Sequence, residues 1–420
     1  MHKPAWRPLL PPDRLIQSSS RARLPARART LNLAFITDEL PAPGRAGHLA
    51  YNHALISHWR AQGHHITLFL TRPRLNRLIV PRPDISVLGP RLFSIGKHLI
   101  AAEPRTIANL IRRTLPRRPG TTPNRATLGA PITIRQAHWI ATRLPALNPD
   151  AVIIDTIFRA PLLDHPALHG KKSILIAHDL FHRRHAALSL AGLSLRPESL
   201  TRADETLLLN KASSIVAIQP DEAALIAAMC PDRHVITVPM PATAIPRVPG
   251  TLRDLSSLVF LGSASLPNLD GLRWFLEAIW PRLHARRPDL RLDLVGDCGL
   301  SLSPLPRGVH RHGRVPDLAP LLHRASLAIA PLRAGSGLKI KLLDYARHGL
   351  TTIASPAALE GLAADPASPY IPATTPHDFI RAILTNLATP PSDLRALAYI
   401  TNHYGPAHIF APLDALLTEP

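Results

Sequence analysis

Short apolar runs alternate along this chain with longer segments whose apolar residues recur at helical spacing. Residues 31–37 and 65–70 read as buried strands, and residues 48–62 between them predict a helix that ends at Gly63. The same pattern predicts further strands at 150–154, 173–177, 213–218, 234–238, 258–261, 291–295, 327–330 and 351–354. Strands that alternate with helices in this way indicate an α/β protein built on parallel sheets.

A glycine-rich turn lies between the predicted strand at 327–330 and a predicted helix at 338–348. The turn contains Gly335, Ser336 and Gly337, and Gly349 follows the helix. A turn of this kind at a helix start exposes backbone N–H groups, and the helix dipole adds partial positive charge there. Such a helix start suits an anion such as a phosphate.

Two lysines, Lys339 and Lys341, fall in the first turn of that helix. The helix dipole disfavours positive charge at this end, so an anionic ligand would explain their position. The alternative interpretation is that both lysines belong to a solvated helix face.

Composition narrows the class of protein. A chain of 420 residues is too long for one hydrophobic core and suits two domains. Its only cysteines, Cys230 and Cys298, exclude a disulfide framework and a cysteine zinc site, which favours a reducing cytoplasm. The net charge of +20 predicts an acidic partner, but no helix-turn-helix or RNA-binding signature accompanies it, so nucleic acid is not the expected partner. No apolar run approaches the roughly 20 residues that a bilayer span needs.

Residues 327–362 resemble the C-terminal nucleotide-sugar-binding motif of retaining GT-B glycosyltransferases of the group 1, or family 4, type. Lys339 and Lys341 match the basic pair of that motif, and Gly349 matches its helix-ending glycine. Asp344 stands where the family has a ribose-binding glutamate, one methylene longer. The first glutamate of the family's acidic pair falls on Ser336 and is absent.

The resemblance implies the GT-B fold, in which two doubly wound, Rossmann-like domains face each other across a cleft. It divides the chain into a disordered basic tail at 1–30, an acceptor-side domain at 31–240 and a linker at 241–256. A nucleotide-sugar-binding domain follows at 257–392, and a segment at 393–420 crosses back to the first domain. Within that last segment apolar spacing predicts a helix only at 394–400.

The resemblance also implies site residues. His178 follows a predicted strand and would act in catalysis together with Asp344, while Gly47 lies at the start of the first helix, where a simple turn role is the alternative. The residues expected to bind the donor are Gly47, Gly262, Ser263, Gly335, Ser336, Gly337, Leu338, Lys339, Lys341 and Asp344. His182 and His185 lack a third ligand, so we expect no metal, and the resemblance implies no cofactor.

The implied function is retaining, hexosyltransferase-like transfer of a sugar from a nucleotide diphosphate donor. The acceptor would be a hydroxyl of a glycan, a lipid-linked or a small molecule, in cell-surface polysaccharide synthesis. We expect a cytoplasmic enzyme with peripheral contact at the inner face of an anionic membrane, although the basic pairs at 112–113 and 117–118 also fit a solvated face.

Two other functions remain open at this point. A nucleotide-sugar epimerase would need further acids or bases in the cleft, for which Asp297 and Glu360 are the candidates. A catalytically inactive homologue, acting as scaffold or partner subunit, is favoured by the missing first acid and by the Asp344 replacement.

Overall fold

The computed structural model describes residues 29–42, 47–71, 79–81, 83–101, 125–190, 194–334 and 338–419. Two large parallel sheets organise these residues. The strands are β1 Asn32–Thr37, β2 His65–Leu70, β3 Ile79–Pro81, β4 Ser86–Leu88, β5 Leu92–Ile95, β6 His98–Ala101, β7 Arg125–Thr127, β8 Ala151–Asp155, β9 Ser173–Ala177, β10 Ser194–Arg196, β11 Ser214–Ala217, β12 His234–Thr237, β13 Asp254–Leu261, β14 Arg291–Val295, β15 Val309–Gly313, β16 Ala325–Ala330, β17 Thr352–Ala354 and β18 Tyr370–Pro372.

Helices connect most of the parallel strands. The α-helices are α1 Gly47–Ala61, α2 Ile134–Ala141, α3 Leu144–Leu147, α4 Phe181–Leu190, α5 Arg202–Leu209, α6 Pro220–Met229, α7 Leu266–Trp274, α8 Trp280–Arg286, α9 Ala319–Arg324, α10 Ile340–Arg347, α11 Pro356–Leu359, α12 Pro376–Ala388, α13 Asp393–Tyr404 and α14 Pro406–Thr418. A π-helical turn, Phe275–Ile279, joins α7 to α8, and 3-10 turns cover Ile157–Asp164, Pro166–Leu168 and Asp297–Ser301.

The first large sheet has seven parallel strands in the order β12-β11-β9-β8-β1-β2-β4. Its strands are buried on both faces, as the short apolar runs predict: Val152 and Ile154 of β8 point into one core cluster, and Ala151 and Ile153 into the other. The strand order reverses between β8 and β1. A doubly wound sheet binds ligands at the carboxyl ends of the strands beside such a switch point.

The second large sheet has six parallel strands in the order β15-β14-β13-β16-β17-β18. It too is covered on both faces, because Val259 and Leu261 of β13 enter one cluster, and Leu258 and Phe260 the other. The switch point lies between β13 and β16. The two doubly wound sheets expected from the sequence are therefore present.

Residues 72–135, which the sequence pattern left without a clear assignment, contribute a small antiparallel sheet in the order β3-β6-β5. One of its faces packs on the first domain through Leu99, which is buried. Phe93 and Ile95 lie on the other face and are 55% and 62% exposed. The basic pairs at 112–113 and 117–118 lie outside the described residues.

The C-terminal segment forms two helices where the sequence predicted only one, at 394–400. α13 packs into a core cluster of the second domain through Tyr399 and Ile400. α14 packs into a core cluster of the first domain through Phe410 and Leu413. Apolar side chains at 409, 410, 413, 416 and 417 form one helical face, but Pro412 within the helix obscured the pattern. None of the helices in the described ranges is long and apolar enough to cross a membrane.

Candidate functional site

Three neighbouring strands of the first sheet end in residues that bond to one another at the switch point. Thr37 is the last residue of β1, Asp155 the last of β8, and His178 follows β9. Asp155 Oδ1 lies 2.8 Å from His178 Nε2, and its Oδ2 accepts a 2.6 Å hydrogen bond from the Thr37 hydroxyl. All three side chains are buried. His178, chosen from the sequence by its position after a strand, thus lies at the edge where ligands of such sheets bind.

The charges around this cluster are paired. Burial alone would raise the pKa of Asp155, but the hydrogen bond and charge of His178, and the charge of Arg159, bring that pKa well below its usual range. Arg159, 5% exposed, forms an ion pair with Asp38, and its Nη1 donates a 2.7 Å hydrogen bond to the Thr156 hydroxyl. Asp155 is therefore a carboxylate held by donors on both of its oxygens.

The second sheet carries Gly262 and Ser263 directly after β13, at its own switch point. The Gly262 N–H donates to Val295 O at 2.9 Å, so it is used within the sheet. Ser263 is exposed, and its backbone oxygen accepts a 3.0 Å hydrogen bond from Asn268 Nδ2. Asn268 Oδ1 in turn accepts a 2.6 Å hydrogen bond from Lys341 Nζ. Asn268 thereby joins Lys341 to the Gly262–Ser263 turn.

The two lysines of the motif point in different directions. Lys341 Nζ lies 4.3 Å from the ring centroid of Phe260, and burial together with the Lys339 charge lowers the pKa of Lys341 to about 7. The Lys339 side chain is 9% exposed, and its Nζ lies 4.0 Å from Glu360. Lys339 is the N-cap residue of α10 and has non-helical backbone, not a residue of the first turn as the sequence predicted, whereas Lys341 is the second residue of the helix; this explains the separation. Neither lysine lies on a solvated helix face, so that alternative is wrong.

Asp344 lies one turn further along α10, and its side chain is 28% exposed. Burial raises the pKa of this carboxyl to about 6, and Arg347, whose Nη1 is 3.8 Å away, lowers it only in part. A carboxylate in this environment is stabilised by groups that donate hydrogen bonds to it, such as the hydroxyls of a ribose.

The two domains meet where their candidate residues lie. A β-carbon on Gly47, the first residue of α1, would lie 3.0 Å from Cδ1 of Ile340, the first residue of α10. The N-termini of these two helices therefore converge. Nearby, a β-carbon on Gly361 would overlap the side-chain oxygen of Gln219, so the two domains are in contact there as well.

An acidic group of the first domain lies close to this boundary. Burial and the neighbouring Asp179 carboxylate raise the pKa of Glu222, in the first turn of α6, to about 8. Burial lowers the pKa of Lys339, and the negative charges of Glu360, Asp179 and Glu222 oppose that shift. Lys339 thus faces acids of both domains.

Some predicted residues contribute in other ways. The Leu338 side chain belongs to a core cluster of the second domain, so only its backbone is left for a ligand. Gly335, Ser336 and Gly337 lie outside the described residues. His182 bonds to Glu205 through Nδ1 at 2.6 Å. In the part of the chain that the structure describes, no group of three or more His, Cys, Asp or Glu side chains could hold a metal ion.

Sequence reasoning missed Asp155 and Asn268. Asp155 directly follows the apolar run at 151–154, so its place at the carboxyl end of a strand was available as a signal. Asn268 follows Pro267 in the first turn of α7, but nothing in the sequence links it to Lys341, which is 73 residues away.

Known proteins resemble this chain both in sequence and in fold. Residues 256–389 match the family described as "Glycosyl transferases group 1". No curated protein matches the chain significantly.

Several solved structures share the fold at low sequence identity. Sucrose-phosphate synthase from Thermosynechococcus elongatus is 15% identical, with a TM-score of 0.63 over 92% of this chain and 98% of that one. Anabaena Alr3699/HepE in complex with UDP-glucose is 12% identical, with a TM-score of 0.60 over 92% and 99%. WaaG, a glycosyltransferase involved in lipopolysaccharide biosynthesis, is 13% identical, with a TM-score of 0.55 over 92% and 100%.

These likenesses cover both sheets, and the family match covers the second. The chain has the GT-B fold, and residues 256–389 in its C-terminal domain match the model of the group 1 glycosyl transferases.

Proposed function

We propose that this protein transfers a sugar from a nucleotide diphosphate donor to an acceptor hydroxyl. The convergence of the α1 and α10 N-termini at Gly47 and Ile340, beside the buried cations Lys339 and Lys341, supports this proposal most directly. Two helix N-termini and two lysines form an environment for a diphosphate. The family match to the C-terminal domain supports the same ligand class.

The proposed chemistry uses these groups in one displacement. The bond between the sugar's anomeric carbon and the diphosphate oxygen breaks, and its electron pair leaves with the diphosphate. Lys339, Lys341 and the α10 N-terminus stabilise the negative charge that develops there. The acceptor oxygen bonds to the anomeric carbon from the same face that the diphosphate leaves, and it gives its proton to the departing diphosphate. In this scheme Asp344 accepts hydrogen bonds from the ribose, His178 contacts a sugar hydroxyl, and the anomeric configuration is retained.

The donor site is tested by thermal unfolding in the presence of UDP, GDP or ADP. A ligand that binds only the folded state raises Tm, so one of these nucleotides is expected to do so. UDP is the first probe, because the Anabaena structure contains UDP-glucose. Lys339→Ala is expected to abolish most of the shift. Lys171→Ala, an exposed lysine before β9 and at the opposite edge of the first sheet, is the matched control and is expected to keep it.

No shift with any nucleotide at millimolar concentration would contradict the proposal and favour the inactive scaffold. The epimerase alternative is weakened by one observation: Asp297, one of its two candidate acids, is paired with Arg314 at 2.8 Å. Glycosyl transfer to an acceptor, followed as release of free UDP from UDP-glucose, separates an active enzyme from a protein that only binds nucleotide.

We further propose that the acceptor is a glycan or lipid-linked hydroxyl of cell-surface polysaccharide synthesis, reached from the cytoplasmic side of a membrane. Cys230 and Cys298 are both free and buried, which fits a reducing compartment. Residues 72–125 hold twelve arginines and lysines but two acids, half of the chain's net charge of +20. In the sequence this charge lies on both sides of Phe93 and Ile95, whose side chains are exposed. Apolar groups amid basic charge suit an anionic lipid surface.

Cosedimentation with vesicles tests the membrane contact. Vesicles that contain phosphatidylglycerol are expected to bind the protein, and vesicles of phosphatidylcholine alone are not. The double variant Phe93→Ser, Ile95→Ser is expected to lose binding, whereas Leu252→Ser, an 86% exposed leucine of the linker, keeps it. Equal binding by all three proteins would show that this face does not contact the lipid.

A further inference from the structure

The Asp155 carboxylate has no role in the reaction scheme above, yet it is among the most constrained charges of the first domain. It is 2% exposed, and its two oxygens contact His178 Nε2 at 2.8 Å and Thr37 Oγ1 at 2.6 Å. The three residues come from the ends of adjacent strands β1, β8 and β9. The sheet therefore holds all three at fixed distances.

The chemistry of these contacts determines which nitrogen of His178 carries a proton. An ionised carboxylate can only accept hydrogen bonds, so the Thr37 hydroxyl and His178 Nε2 must both donate. In the neutral ring Nδ1 then carries a lone pair. His178 Nδ1 is buried and has no hydrogen-bond partner among the residues that the structure describes. A buried acceptor left without a donor costs free energy until a ligand supplies one.

The backbone that follows Asp155 is held in a strained conformation, which indicates that the surrounding contacts fix the position of the Asp155 side chain. Thr156 has φ of 66°, a conformation that strains a β-branched residue. Its hydroxyl accepts the hydrogen bond from Arg159, and Arg159 pairs with Asp38. These contacts hold the chain in the strained turn that follows the Asp155 side chain.

The other ionisable groups near His178 do not change the conclusion that its Nε2 donates to Asp155. Tyr51 lies 5.3 Å away between ring centroids, but its hydroxyl donates to Val238 O at 2.7 Å. The exposed His48 ring lies 6.0 Å away, and Arg184 donates to Asp179 at 3.1 Å. Asp155 is thus the carboxylate bonded to His178.

We propose that Asp155, oriented by the Thr37 hydroxyl, is a positioning residue that keeps His178 in its Nε2–H form so that Nδ1 accepts a hydrogen bond from a sugar hydroxyl. The proposal rests on the transferase function proposed above. It assigns to Asp155 and Thr37 a role in substrate orientation that the motif itself does not contain.

The variant Asp155→Asn tests it. Thr37 continues to donate to the amide oxygen, which turns the amide N–H₂ toward His178 Nε2. Nε2 must then accept, the proton moves to Nδ1, and the substrate hydroxyl loses its acceptor. The expected loss of transferase kcat/KM is about 10- to 100-fold, the size of one hydrogen bond made or opposed at a reacting group. The Tm shift with UDP is expected to stay, because the proposed diphosphate site belongs to α10.

Nitrogen NMR of histidine-labelled protein supplies the readout that a structural role alone would not change. The resonance assigned to His178 through His178→Gln is expected to show the proton on Nε2 in the native protein and on Nδ1 in Asp155→Asn. Thr37→Val removes the hydroxyl that orients Asp155 but keeps the carboxylate, so it is expected to leave the Nε2–H form in place and to lower kcat modestly. Asp164→Asn, a 58% exposed aspartate paired with Lys211, is the control for an unrelated charge loss.

The proposal is overturned if native His178 carries its proton on Nδ1, or if Asp155→Asn changes the tautomer without changing kcat/KM. The first result is read from the native protein and needs no folded Asp155 variant. If the native protein shows no nucleotide shift and no transfer, the proposed function fails, while the tautomer measurement still stands on its own.

Discussion

Asp155 and Lys341 are both buried charges at the switch points of their sheets, but their surroundings differ. Asp155 is bonded by two donors, and its pKa is lowered, so its charged form is the stable one. Lys341 has a neutral partner, Asn268, and its pKa falls to about 7. Asp344 lies on the same helix as Lys341, and its pKa is raised to about 6. Both shifts favour the neutral form of the group.

The first domain therefore presents a site whose charges compensate one another before any ligand binds. The second domain holds charges that burial has shifted toward neutrality and that the protein compensates only in part. A ligand with negative phosphates and hydroxyl donors would supply what these groups lack. We interpret the first half as preorganised and the second half as completed by its donor.

The largest effect is expected from breaking a pair in the first domain. Asp38→Ala leaves the Arg159 guanidinium buried without its carboxylate, which is expected to lower the free energy of unfolding by about 3–5 kcal/mol. Chemical denaturation measures it. Asp84→Ala removes an aspartate that is 90% exposed and paired with Arg60, and is expected to change stability by less than about 0.5 kcal/mol. A similar loss of unfolding free energy in both variants would contradict the interpretation that the site of the first domain is preorganised.

An effect of opposite sign is expected in the second domain. The folded pKa of Asp344 is about 6 against an ordinary 3.8, so ionised Asp344 opposes folding at pH 7. Asp344→Asn is expected to raise the free energy of unfolding by about 1–2 kcal/mol at pH 7, after allowance for partial exposure.

The increase in unfolding free energy in Asp344→Asn is expected to depend on pH, which identifies the Asp344 carboxyl as its source. The gain is present above pH 6 and disappears as the pH falls toward 4, because Asp344 is then protonated in both states. Asp289→Asn, an exposed aspartate paired with Arg287, is expected to bring no gain. The Asp344 variant should also bind UDP more weakly. A destabilised Asp344→Asn protein at pH 7 would contradict the comparison.

The smallest effect concerns Lys341 and the pH dependence of nucleotide binding. Its pKa of about 7 in the free protein rises when a diphosphate binds, so binding takes up a proton above pH 7. UDP affinity is expected to fall by about 3- to 10-fold between pH 7 and 8.5. Calorimetry in two buffers of different ionisation enthalpy measures the proton uptake. Lys341→Met is expected to flatten the profile, and an unchanged profile would assign the uptake to another group.

Much of the fold could be predicted from local pattern. The strand expected at 65–70 is β2, His65–Leu70, and the helix expected at 338–348 is α10, Ile340–Arg347. Both follow from apolar periodicity and from glycine at a helix end, which act over a few residues. α14 escaped prediction because Pro412 lowers local helix propensity, whereas packing against the first domain stabilises the helix.

In the candidate site, too, some features follow from local sequence and others only from tertiary packing. His178 and the lysines were chosen by their positions after a strand and at a helix start, and the structure places them at the carboxyl edges of the two sheets. The separation of Lys339 from Lys341 depends on the helix beginning at Ile340, two residues later than the sequence pattern predicted. Their burial was not predictable from the sequence, because it depends on Phe260, Asn268 and Glu360, which other segments supply.

The sequence by itself determined the α/β class, the alternation of elements and the glycine-bounded helix that carries Lys341 and Asp344. Short-range periodicity and backbone preferences decide these features. Tertiary structure alone decided that Thr37, Asp155 and His178 share one hydrogen-bonded cluster, since 118 residues separate the first two. The order β9-β8-β1 brings them together, and strand order depends on how distant segments pack into one sheet. The pKa values of Asp155, Lys341 and Asp344 likewise follow from burial and neighbours that no local pattern contains.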